Sequence, residues 1–169
     1  MQGLTGPFRH NLALAMSKAE KEFHRKTAAM CFNSTWDLLV MKNRSQEDDQ
    51  QMLYLAHASR YHWGLVGTPR NRAVGEWQIS RVYADLGHPE LALRFARASL
   101  ATCKNNGTED LIHTANEAVA RAYAVAKDYD KAREYLDRAR GQLRKLRLDS
   151  EDRRIYSDQI RETERLIKK

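Results

Sequence analysis

Apolar residues recur at helical spacing along most of the chain. From Phe23 to Met41 they fall every three or four residues, and later segments repeat the pattern. No segment alternates polar and apolar positions for long enough to predict a strand. The 169 residues include 3 Pro and 8 Gly, few enough to leave long segments uninterrupted. The pattern therefore predicts an all-α protein.

Polar caps and Gly or Pro turns divide this pattern into seven predicted helices. Thr68 followed by Pro69 is the clearest start, because the hydroxyl can cap free N–H groups and proline at the first helical position loses no hydrogen bond. Ser45, Thr108 and Asp128 stand at similar starts. The predicted helices span 12 or 17 to 41, 46–63, 69–86, 89–103, 109–126, 129–147 and 151–168. Residues 1–11 are expected to form a loose arm.

Two of the predicted helical hairpins repeat each other. The matched residues lie 40 positions apart (123 − 83 = 40). The pairs are Ile79 and Val119, Arg81 and Arg121, Tyr83 and Tyr123, Ala84 and Ala124, Ala92 and Ala132, and Phe95 and Tyr135. Helical hairpins that recur at a fixed period stack side by side.

These residues resemble the tetratricopeptide repeat family. The shared features are Tyr late in the first helix, Gly87 in the turn, and Ala92 and Ala132 where the second helix approaches the first. The segment 57–83 is also similar to a group of small bacterial tetratricopeptide-like proteins. The period departs from the family, being about six residues longer than the usual repeat of about 34. Glu76 and Asn116 also stand where the family places an early aromatic residue.

The resemblance implies a single domain of stacked antiparallel helical hairpins. Its parts would be an N-terminal hairpin over 12–67, repeats over 68–104 and 108–147, and a C-terminal capping helix over 150–169. The last helix has a narrow apolar stripe in a charged segment, as the end of a stacked array requires.

A concave groove lined by the first helix of each hairpin is also implied by the resemblance. In this register Trp77, Arg81, Glu117 and Arg121 project into the groove. Two arginines beside an exposed aromatic ring suit an acidic or C-terminal peptide segment, through charge-assisted hydrogen bonds and a flat apolar contact. We therefore expect a non-catalytic protein-interaction module. The alternative is that these side chains are ordinary surface charges paired within helices.

A second group of polar residues lies at the junction of the second and third helices. Glu76 and Ser80 share the packing face of the third helix, and a carboxylate there needs a partner. The second helix offers His57, Arg60 and His62, so we predict a buried or half-buried ion pair between Glu76 and Arg60 or His57. A role in stacking the hairpins is favoured, because ionic networks perturb pKa values without doing chemistry. A small-molecule or enzymatic site is the alternative.

Motifs for metal binding or catalysis are missing from the sequence. His57 and His62 are separated by about 140° around a helix, so they cannot face one ion together. Neither a Gly-x-Ser-x-Gly turn nor a Gly-rich phosphate loop occurs. Cys31 and Cys103 lie among apolar neighbours and are predicted to be buried structural thiols. We expect neither a cofactor nor an enzymatic activity.

The net charge of +7 raises the question of nucleic acid binding. Charges alternate in sign along most helices, and the one basic block, 138–147, falls at a helix end where cations favour the dipole. A solvated helix end is therefore preferred to an RNA-binding surface.

No run of about 18 apolar residues predicts a membrane span, and no secretory signal is evident, so a cytoplasmic location is expected. An exposed apolar face of helix one would allow the chain to form a homodimer.

Overall fold

The computed structural model describes residues 16–167, which form seven α-helices and one short 3-10 turn and contain no strand. The all-α prediction is therefore confirmed for this part of the chain. The loose arm predicted at 1–11 lies outside the described residues. The helices are α1 (Lys18–Val40), α2 (Gln46–Val66), α3 (Pro69–Asp85), α4 (Pro89–Asn105), α5 (Ile112–Val125), α6 (Tyr129–Lys145) and α7 (Ser150–Ile167), and the 3-10 turn is Glu109–Leu111.

Most helix starts follow the polar caps expected from the sequence. The side chains of Ser17, Ser45 and Thr68 each accept a hydrogen bond from the third residue of the helix that follows, and that residue bonds back to the cap. Thr108 differs, because its side chain makes no cap hydrogen bond and is buried. The chain there forms the 3-10 turn, and α5 begins only at Ile112.

The helices stack as three antiparallel hairpins and a capping helix. The most extensive contacts lie within the pairs α1–α2, α3–α4 and α5–α6, while α2 packs on α3 and α4 packs on α5. Helix α7 packs against α5 and α6. Contacts between α1 and α3, α3 and α5, and α5 and α7 show that the odd-numbered helices form one layer. We call this the first-helix layer.

The 40-residue repeat is visible in the backbone. Gly87 and Lys127, 40 positions apart, both have positive φ, at 76° and 61°. The next residue donates its N–H to a tyrosine carbonyl in each turn, His88 to Tyr83 at 2.8 Å and Asp128 to Tyr123 at 3.0 Å. Left-handed backbone is unusual for lysine, so the repeat keeps the turn conformation even where glycine is replaced.

Small residues allow the paired helices to approach closely. Ala92 and Ala132 occupy equivalent positions in α4 and α6 and are fully buried. Ser80 is also buried and donates its hydroxyl to the carbonyl of Ala92 at 2.8 Å. Cys31 and Cys103 are buried free thiols, as their apolar neighbours in the sequence predicted. Burial raises the pKa values of both thiols. None of the described helices is long and apolar enough to cross a membrane.

Candidate functional site

Three of the four residues assigned to the groove, Arg81, Glu117 and Arg121, come together in the first-helix layer. Arg81 of α3 donates to Oε2 of Glu162 in α7 at 2.5 Å, and Arg121 of α5 reaches the same oxygen at 3.4 Å. Arg121 also donates through Nε to Glu117 at 3.0 Å. Two arginines from successive hairpins therefore share one carboxylate of the capping helix.

Two of these residues lie deeper than the sequence predicted. Trp77 is 6% exposed and Glu117 is 2% exposed, so the expectation that they line an open groove is wrong. Trp36 of α1 covers Trp77, with ring centroids 5.6 Å apart. Thr163 of α7 covers Glu117 and donates its hydroxyl to Oε1. The neighbouring helices of the same layer thus close over the positions that the repeat register placed at the surface.

An open groove remains at the edge of this layer. It has a volume of about 360 Å³ and lies where α1, α3 and α7 meet. We call it the first-helix groove, and it is lined by Trp36, Arg81, Arg154, Ile155, Asp158, Gln159 and Glu162. The guanidinium of Arg81 lies 5.2 Å from the ring centroid of Trp36. Trp36 was not assigned to the groove from the sequence. It is one of many apolar residues on a wide face of the first helix, and the sequence does not show which of them lies at the edge of the groove.

Several polar atoms beneath this groove have no hydrogen-bond partner among the described residues. They are Nε1 of Trp77, one terminal nitrogen of Arg81 and Oε2 of Glu117, and all three are buried. An unpaired buried polar group costs roughly 1–3 kcal/mol. The seam between α3, α5 and α7 therefore contains more hydrogen-bonding capacity than the packing of the chain uses.

The ion pair predicted for Glu76 forms with Arg60. Nη2 of Arg60 donates to Oε1 of Glu76 at 2.7 Å, and the Thr102 hydroxyl of α4 donates to Oε2 at 3.0 Å. Gly75 makes room for this arrangement, because a Cβ there would lie 2.8 Å from Cδ of Arg60. The carboxylate of Glu76 therefore joins α2, α3 and α4.

The other three residues of the predicted cluster have different partners. Nε2 of His57 lies 3.1 Å from the hydroxyl of Tyr83, and no ion pair links His57 to Glu76 in the described part of the chain. His62 faces α1 instead, with its Nδ1 2.6 Å from Nδ1 of His24. Ser80 bonds to the backbone of α4. The expected single cluster is therefore split, because the 140° between His57 and His62 directs them to different helices.

Above the Arg60–Glu76 pair lies a second open cavity, of about 350 Å³. We call it the inter-hairpin cavity because residues of α2, α3 and α4 form it. It is lined by His57, Arg60, Tyr61, Glu76, Ile79, Arg94, Phe95 and Ala98. Glu76 is thus paired and also lies beside an accessible space. Arg94 and Phe95 were not assigned to any site from the sequence.

A third cavity, of about 230 Å³, lies near the start of α3. Phe32, Trp63 and Val74 give it apolar walls, and Asn33 and Asn71 are polar residues in its lining. No sequence motif pointed to it, since its residues come from three helices.

On the outer face of α1, Phe23 and Met30 are each 60% exposed. Homodimerisation through that face stays a prediction.

Buried His113 provides a test of how the fold depends on pH. Its side chain is 3% exposed, and desolvation lowers the pKa of its imidazole. Nδ1 donates to the carbonyl of Asp110 at 2.7 Å, and Nε2 lies 3.1 Å from the hydroxyl of Thr114. The neutral ring can accept the Thr114 hydrogen bond, whereas a ring protonated at Nε2 cannot.

We expect the free energy of unfolding to fall as the pH drops below about 6.5, the pKa of histidine in unfolded chains. Below that pH the histidine binds a proton in the unfolded chain, but the buried His113 of the folded chain does not. The free energy of unfolding therefore decreases by at most about 1.4 kcal/mol per pH unit for this one group. Burial lowers the pKa values of His57 and His62 too, and these act in the same direction. Urea unfolding between about pH 7.5 and 5.5 measures the slope. His113→Asn should reduce the slope, with the contributions of His57 and His62 remaining, and an unchanged slope would contradict this assignment.

The described residues offer little support for a metal site or a basic surface patch. They contain no group of three or more His, Cys, Asp or Glu side chains that could hold a metal ion. In the basic block of α6, Arg138 pairs with Glu134, and Arg140 pairs with Asp137 and Glu164. These arginines are therefore partly neutralised by neighbouring carboxylates.

Comparisons of the chain with protein-family models, with curated proteins and with solved structures found no match. The resemblance to tetratricopeptide repeats therefore rests on the residues quoted above.

Proposed function

We propose that the chain is a non-catalytic protein-interaction module that binds an acidic segment of a partner protein in the first-helix groove. The observation that carries this proposal is the convergence of Arg81 and Arg121 on the carboxylate of Glu162. Two guanidinium groups from different hairpins already hold a carboxylate there. A carboxylate of a partner, either a side chain or a chain terminus, can replace Glu162 without a change in the arginine positions.

The surroundings of this carboxylate suit a peptide more than a single ion. The half-buried indole of Trp36 offers a flat apolar surface beside Arg81, and Ile155 extends the apolar lining on α7. Arg154 adds a positive charge at the exposed side of the groove. An extended segment with an acidic residue next to an apolar one would contact both kinds of surface. The side chains of Arg81 and Arg121 are 14% and 12% exposed and that of Glu162 is 45% exposed, so a competing carboxylate reaches the arginines by taking the place of the Glu162 side chain.

Peptide selection on the intact chain tests this proposal. We expect peptides selected from a random displayed library to be enriched in Asp and Glu. Arg81→Gln should weaken their binding by about tenfold or more, because a charge-assisted hydrogen bond contributes about 1.5–3 kcal/mol. Fluorescence anisotropy with the selected peptides measures the change, and Trp36→Leu should also weaken binding.

The matched control is Arg138→Gln. Arg138 also donates to a glutamate, but on the exposed face of α6 and away from the groove, so the substitution should leave peptide affinity unchanged. Circular dichroism and thermal unfolding establish that each variant is folded. Peptides without an excess of acidic residues, or equal binding by folded Arg81→Gln and the unsubstituted chain, would show that the proposal is wrong.

A second candidate function is small-molecule binding at the junction of α2 and α3. The specific observation in its favour is the inter-hairpin cavity, which lies directly above the Arg60–Glu76 pair. Besides this pair, the lining includes Arg94, which forms no ion pair with the described residues.

A further inference from the structure

The inter-hairpin cavity combines an apolar floor with aromatic walls. Ile79 of α3 and Ala98 of α4 lie among its lining residues, and Ile79 is fully buried. The rings of His57 and Phe95 meet edge to face, with centroids 5.5 Å apart. The ring of Tyr61 lines the same cavity from α2 and is exposed. Ring surfaces around an apolar floor favour a flat ligand.

The charges in this cavity are unevenly paired. Its one acidic residue, Glu76, already accepts hydrogen bonds on both oxygens, from Arg60 and from Thr102. Arg94 of α4 is an exposed residue of the lining, and no carboxylate of the described residues pairs with it. Its guanidinium carbon is 6.0 Å from the ring centroid of Phe95. The cavity therefore presents one positive charge that the chain leaves uncompensated.

We propose that the inter-hairpin cavity binds a small planar monocarboxylate, with the carboxylate on Arg94 and the ring against His57 and Phe95. The planar fork of a guanidinium matches the two oxygens of a carboxylate. One uncompensated charge matches a monoanion. The cavity volume of about 350 Å³ lies at the small end of ligand pockets, which span roughly 300–1,000 Å³. This site is formed by α2, α3 and α4 and is separate from the first-helix groove.

Titration with benzoate and with benzamide, using the whole chain, tests the proposal. The two probes share a ring and nearly the same shape, but only benzoate carries a charge. Chemical shifts of the backbone amides of α2 and α4 report binding at the cavity. We expect saturable binding of benzoate, and binding of benzamide that is weaker by at least about fivefold. The loss of one charge-assisted hydrogen bond corresponds to such a change.

Two substitutions assign this binding to the cavity. Arg94→Gln should weaken benzoate binding by at least about fivefold, because it removes the charge and keeps most of the side chain. The control is Arg138→Gln, which changes an exposed arginine of α6 outside both the cavity and the first-helix groove and should leave benzoate binding unchanged. Phe95→Leu is a further variant, expected to weaken both probes because it removes the aromatic wall.

Several outcomes would overturn the proposal. They are a lack of saturable benzoate binding to the unsubstituted chain, equal binding of the two probes, unchanged benzoate affinity in folded Arg94→Gln, and an equal loss in Arg138→Gln. None of these outcomes depends on whether the first-helix groove binds peptides.

Discussion

Replacing Glu117 with alanine is expected to lower the free energy of unfolding by about 3 kcal/mol. Its side chain is 2% exposed, and Oε1 accepts hydrogen bonds from Arg121 of its own helix and from Thr163 of α7. The substitution leaves both donors without this partner and opens a void beneath α7. Urea unfolding followed by circular dichroism measures the change. Relative to the unsubstituted chain, the variant should show a larger increase in amide hydrogen exchange in α7 than in α1 or α2.

The control for this prediction is Glu134→Ala. Glu134 and Arg138 form an ion pair with the same four-residue spacing as Glu117 and Arg121, but both side chains are about half exposed. Exposed pairs of this kind contribute about 0.3–0.5 kcal/mol. The comparison therefore isolates the effect of burial at constant chemistry. A loss for Glu117→Ala no larger than that for Glu134→Ala would show that Glu117 does not fix α7 to α5.

Most of the fold could be predicted because the signals that divide the helices are local. Ser45, Thr68 and Asp128 cap helices at the positions expected, since each side chain needs only the three residues that follow. The 40-residue repeat placed the hairpins beside one another. Thr108 was wrongly expected to cap α5, because a buried hydroxyl cannot be distinguished from a capping one by sequence alone.

The depth of the groove residues could not be predicted. The repeat register shows which side of α3 and α5 faces the first-helix layer, but not which helix lies against that side. Arg81 and Glu162 are separated by 81 residues in the sequence, and their contact depends on the packing of all the intervening hairpins. Trp77 is covered by Trp36 for the same reason. Long-range packing therefore turned expected surface residues into buried ones.

The ion-pair partner of Glu76 could be predicted from the sequence. A carboxylate on a helical packing face requires a partner, and the preceding helix offered only a few candidates, of which Arg60 proved to be the partner. The hydrogen bond from Thr102 was not predicted, because α4 lacks a motif that indicates it. Glu76 thus forms a charged connection between three helices.

Glu76→Ala should lower the free energy of unfolding by about 2 kcal/mol. The side chains of Arg60 and Glu76 are 20% and 12% exposed, so the effect should be smaller than for a fully buried pair. Loss of the carboxylate leaves Arg60 enclosed beside Gly75, and it leaves the Thr102 hydroxyl without its acceptor. Glu76→Gln keeps the shape and one acceptor, and should cost less. Urea unfolding of both variants measures the difference.

A double-mutant cycle with Arg60→Met separates the ion pair from the packing. If the pair itself joins the hairpins, the double variant Arg60→Met, Glu76→Ala should be less destabilised than the sum of the two single variants, with a coupling of about 1 kcal/mol or more. Methionine retains the apolar stem that crosses α3 at Gly75, so the close helix contact survives. Additive effects would mean that Glu76 acts through Thr102 and local packing, and that the pair does not determine how α2 and α3 stack.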